Sequence, residues 1–300
     1  MTELQVTLQN LFPAMELSME EPLARHTSFK IGGPAEVFAT PRSLEELQSL
    51  LKWAHEYGVV PAVLGSGTNV LASDNGRRGL VICTRGCAEH LERLDETHIR
   101  VSAGVSMARA AMFAAGLGLS GLEFAHGIPG SVGGGLYMNA GAYGGEMKQV
   151  AVKTEYLDYE GNLHILEGEE QGFAYRRSAF TGKSRIITAG TFCLTPGSET
   201  EIKARMQELM EKRKTSQPLE LPSAGSTFKR PAGGYAAALI DQAGLRGYQV
   251  GSAAVSSKHA GFVVNLGGAT EADVLALIGH IQGKVFESSG IRLEPEVVRL

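Results

Sequence analysis

The sequence is poor in cysteine, in long apolar runs and in clustered positive charge. Three cysteines among 300 residues, Cys83, Cys87 and Cys193, cannot all pair. The N-terminus, MTELQVTLQN, is polar and shows no secretory leader, so a reducing cytoplasm is the expected location. Cys83 and Cys87 lie four positions apart, but no second Cys or His pair at ligand spacing accompanies them, and no metal is expected. No apolar run reaches the ~20 residues of a membrane span, so no membrane association is expected. The net charge is -4 and Lys and Arg are scattered, which gives no basic field for nucleic acid. The two standard nucleotide motifs, GxxxxGK[ST] and a GxGxxG that opens a helix, are absent. No obligate protein partner is expected.

Glycine is what the chain has in excess: 38 of 300 residues, against a usual share of about 7%. The length favours one large α/β unit with a smaller one. A helix is predicted over 43–58, with Ser43 and Glu46 as a capping box and Gly58 as the stop, and a second from Met107 to Ala115 after Ser106. The runs VVPAVLG, LVICTRG and THIRVSAG read as strands, so the pattern up to about residue 195 is α+β rather than regular βαβ alternation. A polar helical connector, 199–217, follows Ser198 and ends before Pro218. Beyond it, at 218–300, helices near Tyr235–Ala243 and Glu271–Ser288 flank the strand GFVVNLG, with a last strand in PEVVRL. The expected division is therefore a first domain over 1–198, the connector, and a smaller α/β domain over 218–300.

Two segments have the composition of ligand cradles. LGSGTNVL (64–71) leaves a strand and offers Gly65, Ser66, Gly67, Thr68 and Asn69, whose backbone N–H groups, hydroxyls and amide suit an anion nest. GIPGSVGGGLYMNAGAYGGE (127–146) places eight glycines in twenty positions. Its Pro129–Gly130 turn and Gly133–Gly135 run suggest a backbone lying flat against a rigid partner. Flexible linkers rarely carry Ile128, Val132, Leu136, Tyr137 and Tyr143. A large planar ligand with a diphosphate would use both segments.

RHTSFKIGGPA (25–35), the two glycine segments, YRRSAF (175–180), SAGSTFKRP (223–231), HAGFVVN (259–265) and LEPEV (293–297) together resemble the UDP-N-acetylenolpyruvoylglucosamine reductases, the MurB family of peptidoglycan synthesis. The resemblance runs from about residue 25 to the end, in order and approximate spacing. It implies an FAD-binding domain with two lobes, about 1–85 and 86–198, of the vanillyl-alcohol oxidase/p-cresol methylhydroxylase type, and a substrate-binding domain at 218–300. It implies that NADPH reduces FAD and that the flavin passes the hydride to the vinyl carbon of UDP-GlcNAc-enolpyruvate, giving UDP-MurNAc. The little chain between Arg176 and the connector resembles the family's shorter form, without its tyrosine loop.

On this resemblance the FAD contacts fall on Gly65, Ser66, Gly67, Thr68 and Asn69, on Gly127, Ile128, Pro129, Gly130 and Ser131, and on Gly133, Gly134, Asn139 and Gly141. Ser226 matches the proton donor, Glu296 the catalytic glutamate and Arg176 the arginine that binds the substrate carboxylate. Glu294 and Glu296 would share a face of an extended run, so periodicity does not choose between them and the motif position selects Glu296. Arg177 competes with Arg176 in the same way. Lys229 and Arg230 offer charge to a substrate diphosphate, Tyr143 could border flavin or nicotinamide, and His259 and Asn265 have a supporting role. An oxidase of the same flavin fold, or a non-catalytic nucleotide binder, would also use the glycine segments; bleaching of the flavin by NADPH excludes the non-catalytic binder, and reoxidation in air separates oxidase from reductase.

Overall fold

The helix starts fall where the side-chain caps are. In the computed structural model, which describes residues 1–300, helix α1 (Glu3–Leu11) begins from Thr2 through a capping box with Gln5. Helix α2 (Leu44–Glu56) begins at Ser43, whose hydroxyl accepts from the Glu46 N–H at 3.1 Å. The Glu46 carboxylate reaches one residue further back than a box would, to the Arg42 N–H at 2.7 Å. Helix α3 (Met107–Gly116) starts from Ser106 in the same manner.

The glycine run is not flat. Helix α4 (Val132–Tyr137) is built from VGGGLY and capped by Ser131. Each interior glycine costs a helix about 1 kcal/mol, so local propensity argues against it. Packing decides otherwise. A Cβ on Gly133 would stand 2.8 Å from the Ala103 Cβ, and one on Gly135 2.7 Å from the Met107 sulfur. The bare backbone lets α4 press against α3 and the strand before it.

The chain divides into two compact units, and neither is contiguous. The first holds Met1–Met19, Val37–Ser66 and Gly79–Arg213; the second holds Glu20–Glu36, Gly67–Arg78 and Lys214–Leu300. This differs from a simple division at residues 198 and 218 in two places, and each has a packing reason.

In the first unit, a five-stranded antiparallel sheet runs in the order Leu163–Glu167, Ala151–Asp158, Arg185–Cys193, His98–Ser102, Leu91–Arg93. The strand Ala62–Leu64 pairs in parallel with Arg77–Cys83 in a second sheet; the expected strand from Val59 shortens to follow Pro61. Helix α5 (Glu199–Ser216) is the expected connector, but its Ile202 and Met206 are buried in the same core as Val101, Leu136 and Phe192. Through Arg213 it belongs to this unit, and its last turn enters the second.

In the second unit, helices α6 (Ala236–Gln242) and α7 (Glu271–Ser289) accompany a sheet ordered Ser223–Ser226, Phe262–Asn265, Ala253–Val255, Gln249–Val250. Phe29, Ile31 and Leu71 are buried here with Ile240, Leu277 and Ile281. Burying such side chains contributes about 1.5–3 kcal/mol each, which recruits two early segments to the C-terminal core. Hydrogen bonds fix them: Ser28 Oγ donates to the Ser223 carbonyl at 2.6 Å, and Asn265 Nδ2 to the Phe29 carbonyl at 3.0 Å. Asp74 caps α7 by accepting from the Glu271 N–H at 2.8 Å. Val298 and Arg299 pair in parallel with Val70 and Leu71. No helix is long and apolar enough to cross a membrane.

Candidate active site

In the first unit the glycine segment is anchored along its backbone. Met107 N–H donates to the Gly130 carbonyl at 2.9 Å, Val132 N–H to Val105 at 2.8 Å and Gly133 N–H to Ala103 at 2.9 Å. Ser131 is buried, with its hydroxyl accepting from the Gly134 N–H at 3.4 Å. Gly65 meets it from the other segment, where a Cβ would fall 2.8 Å from Ser131 Oγ. Gly65 and Ser66 are half-buried and belong to this unit, while Gly67, Thr68 and Asn69 belong to the second.

Gly134 stands apart from its neighbours. It is exposed, and a Cβ on it would meet only its own helix cap, at 3.6 Å. Nothing in the protein requires glycine there.

Asn139 takes a different place from a ligand-facing one. It is 1% exposed, at φ 43°, with all its amide groups engaged inside the fold. Nδ2 donates to Glu146 Oε2 and to the Ala174 carbonyl, each at 3.1 Å, and Oδ1 accepts from the Lys148 N–H at 2.9 Å. The contact to Ala174 ties the segment to YRRSAF. There Ala174 and Arg177 exchange backbone hydrogen bonds at 3.0 and 3.1 Å around a tight turn, with Arg176 at φ 55° on it. Arg176 Nη2 donates to the Gly141 carbonyl at 3.2 Å, and Ser178 Oγ to Tyr137 at 2.8 Å. Arg176 is thus half-buried against the glycine segment, whereas Arg177 is exposed. Tyr143, also at positive φ, is 42% exposed. Non-glycine residues adopt this backbone region rarely, and three of the six here lie in these two motifs.

In the second unit, Ser226 and Glu296 are brought together across the chain. Ser226 ends its strand, exposed, after Gly225 at φ 77° and opposite Phe262. The next residue, Thr227, is buried: its N–H donates to Gly261 at 2.9 Å and its hydroxyl accepts from the Val263 N–H at 3.0 Å. Its carbonyl accepts from the Glu296 N–H at 2.8 Å, and Lys229 N–H donates to the Glu294 carbonyl at 2.9 Å. LEPEV therefore lies alongside the serine motif. Asn69 holds its far end, accepting from the Val298 N–H at 3.0 Å and donating through Nδ2 to the Glu296 carbonyl at 3.2 Å.

The two glutamates differ in what they touch. Glu294 is exposed and paired with the Lys229 ammonium, whereas Glu296 is half-buried. Lys229 is accordingly committed to that pair rather than waiting for a diphosphate. Arg230 lies 4.0 Å over the Tyr235 ring with Nε donating to the Gly234 carbonyl at 3.3 Å. Burial pushes the His259 imidazole below the usual histidine range, and its Nδ1 accepts from the Gly261 N–H at 3.1 Å. Asn265 is buried; besides Phe29, it serves the N–H groups of Gly267 and Ala269 at 2.8 and 3.0 Å.

Residues 217–300 match the family model for the C-terminal domain of UDP-N-acetylenolpyruvoylglucosamine reductase, and residues 35–167 match one for an FAD binding domain. A UDP-N-acetylenolpyruvoylglucosamine reductase of Caldanaerobacter subterraneus is 46% identical over 290 residues, spanning 97% of this chain and 95% of that one. This chain belongs to the UDP-N-acetylenolpyruvoylglucosamine reductase family. The same enzyme of Agathobacter rectalis is 47% identical, covering 95% of this chain and 94% of its own. The crystal structure of the Thermus caldophilus MurB superposes with a TM-score of 0.79 at 36% identity, over 95% of this chain and 98% of that one.

The FAD-binding domain of this reductase has groups that fit the cofactor. Exposed Gly134 presents bare backbone that the fold itself does not need, and Ser66 and Gly65 offer a half-buried polar turn beside Ser131. One group was not singled out from sequence. Arg213 is 9% exposed, and its Nε is buried without a hydrogen bond. The available signal was an arginine on the apolar face of α5, spaced after Ile202, Met206 and Leu209.

Proposed function

We propose that this flavoprotein reductase uses NADPH to convert UDP-GlcNAc-enolpyruvate to UDP-MurNAc in peptidoglycan precursor synthesis, in the cytoplasm. FAD, when bound, relays a hydride from NADPH to the terminal vinyl carbon of the enolpyruvyl ether. The chain's own residues manage the charge and the proton. Arg176 grips the substrate carboxylate, and its planar guanidinium favours the enolate that forms as charge moves onto that group. Ser226 Oγ–H gives its proton to the carbon next to the carboxylate, and solvent returns one to the oxygen. Glu296, in its protonated form, donates a hydrogen bond to the enolate oxygen. Only the short elements around Arg185–Cys193 and Thr195–Pro196 separate Arg176 from α5, which fits the shorter form of the family.

The observation that carries the reading is the 2.8 Å bond from Glu296 N–H to the Thr227 carbonyl, which ties the segment of the proposed acid to the residue after the proposed proton donor. The test separates two half-reactions. In Ser226→Ala the flavin absorbance should still bleach on adding NADPH, because that step takes no proton from this hydroxyl. Recolouring by the enolpyruvyl substrate should slow by ~10²–10⁴-fold, the usual contribution of a positioned acid. Recolouring at the parent rate would remove Ser226 from the reaction.

A further inference from the structure

The turn from Gly67 to Asn69 is tied to the segments of both Ser226 and Glu296. A Cβ on Gly67 would overlap the His26 carbonyl, so the turn lies flat on RHTSFK, and the Gly67 carbonyl accepts from the Ser28 N–H at 3.0 Å. Ser28 Oγ donates in turn to the Ser223 carbonyl at 2.6 Å, at the start of the strand that ends in Ser226. Two residues after Gly67, Asn69 meets the other segment. Its carbonyl accepts from the Val298 N–H at 3.0 Å, and its Nδ2 donates to the Glu296 carbonyl at 3.2 Å.

The side-chain bond does something the backbone bond does not. A backbone carbonyl only accepts, so the group that faces Glu296 has to be the amide N–H of Asn69 rather than its oxygen. The Glu296 N–H is held by the Thr227 carbonyl and the Glu296 carbonyl by Asn69, so the peptide planes before and after this residue are both pinned. With planar peptides, a residue has only φ and ψ to turn about. Pinning both planes therefore sets the direction in which the Glu296 side chain leaves the backbone.

We propose that Asn69 is a positioning residue for Glu296, aiming the carboxyl through the peptide plane that follows it. The inference rests on the reading of Glu296 as the acid that hydrogen-bonds the enolate. Asn69 acts on the reaction through Glu296 alone. A group displaced by about 1 Å can slow a step by about 10²-fold, and the step affected here is the one that uses the acid. Reduction of the flavin by NADPH does not.

The test is a double-mutant cycle in the full chain with FAD in excess, so that any change in FAD affinity is read separately as a dissociation constant. Asn69→Ala should leave bleaching by NADPH within about threefold of the parent and slow recolouring by the enolpyruvyl substrate by about tenfold or more. In a Glu296→Ala background the same substitution should change recolouring by less than about twofold, because the group it positions is gone. Asn69→Asp keeps the volume and the backbone but turns an acceptor toward the Glu296 carbonyl; it should show the same pattern, and it serves where Asn69→Ala fails to fold. A second readout needs no turnover. In apoprotein, the Glu296 N–H should exchange with solvent at least about fivefold faster in either variant, while the Leu300 N–H, bonded to Leu71, keeps its parent rate. Equal slowing of recolouring with and without the Glu296 carboxyl would overturn the proposal, as would parent-rate recolouring in both Asn69 variants or an unchanged Glu296 amide. Parent-rate recolouring in Glu296→Ala itself would instead refute the reading of Glu296 on which the role depends.

Discussion

The glycine segment of the first unit and the Ser226–Glu296 pairing of the second differ in whether a candidate residue's own side chain helps to hold it. In the first, backbone bonds anchor the glycine run, but a candidate side chain is itself part of the hold: Asn139 spends its whole amide on Glu146, Lys148 and Ala174, and glycines admit Ala103 and Met107 to within packing distance. In the second, main-chain groups of the candidate residues make the hold. Thr227 and Lys229 pair with Glu296 and Glu294 through main-chain groups, and Ser226 ends its strand with its side chain exposed. A site held by its backbone can lose a reactive side chain without loosening. One held by side chains cannot.

Removing the reactive group from the backbone-held site should give the largest separation between activity and stability. Ser226→Ala is expected to lower kcat by about 10²-fold or more while changing folding stability by under about 0.5 kcal/mol, since the hydroxyl is exposed and the strand pairing opposite Phe262 remains. Steady-state kinetics and urea unfolding of the same preparation check both. A large stability loss would end the contrast between the two regions.

The converse substitution is Asn139→Ala. It removes three hydrogen bonds, strands the Lys148 N–H, and leaves alanine at φ 43°, so the expected cost is about 2–4 kcal/mol. Asn139→Gly should recover about 1 kcal/mol of that, the backbone share alone. Equal losses in urea unfolding would mean that the hydrogen bonds, not the backbone angle, carry the whole effect.

Adjacent glycines sharpen the comparison inside one helix. Gly135→Val drives methyl groups into Met107 and Met147 and should destabilise the apoprotein by about 1–3 kcal/mol. Gly134→Val meets open space on the protein side; apoprotein stability should hold, while gel filtration strips FAD from it. Full retention of flavin would move the cofactor away from α4. The smallest effect is expected at Glu294→Ala, which breaks the exposed pair with Lys229 and should cost under about 1 kcal/mol with turnover near that of the parent.

Much of the local structure was legible in the chain. Ser43 and Ser106 cap helices at the residues where hydroxyl and apolar spacing coincide, because a cap satisfies N–H groups within four positions of itself. The site was legible as motifs, but their geometry was not. Periodicity could not separate Glu294 from Glu296; in the fold Glu294 is exposed and paired with Lys229, and Glu296 is half-buried. Asn139 looked like a ligand contact because its motif is surrounded by glycine, and its side chain turned inward once Ala174 and Lys148 came within reach. Arg213 carried no motif, only an anomalous charge on an apolar face.

What the sequence by itself determined is where helices begin, which family the chain resembles and which side chains could donate a proton or hold a carboxylate, since each depends on residues close in the chain or on an ordered set of motifs. What only the tertiary structure decided is which segments share a core. Residues 20–36 and 67–78 join the C-terminal unit, and α5 as far as Arg213 the first, because the area gained by burying Phe29, Ile31, Leu71, Ile202 and Met206 depends on surfaces far away in sequence. The helix through Gly133–Gly135 has the same origin: its propensity is unfavourable alone, and it forms because Ala103 and Met107 stand where any side chain would have to go.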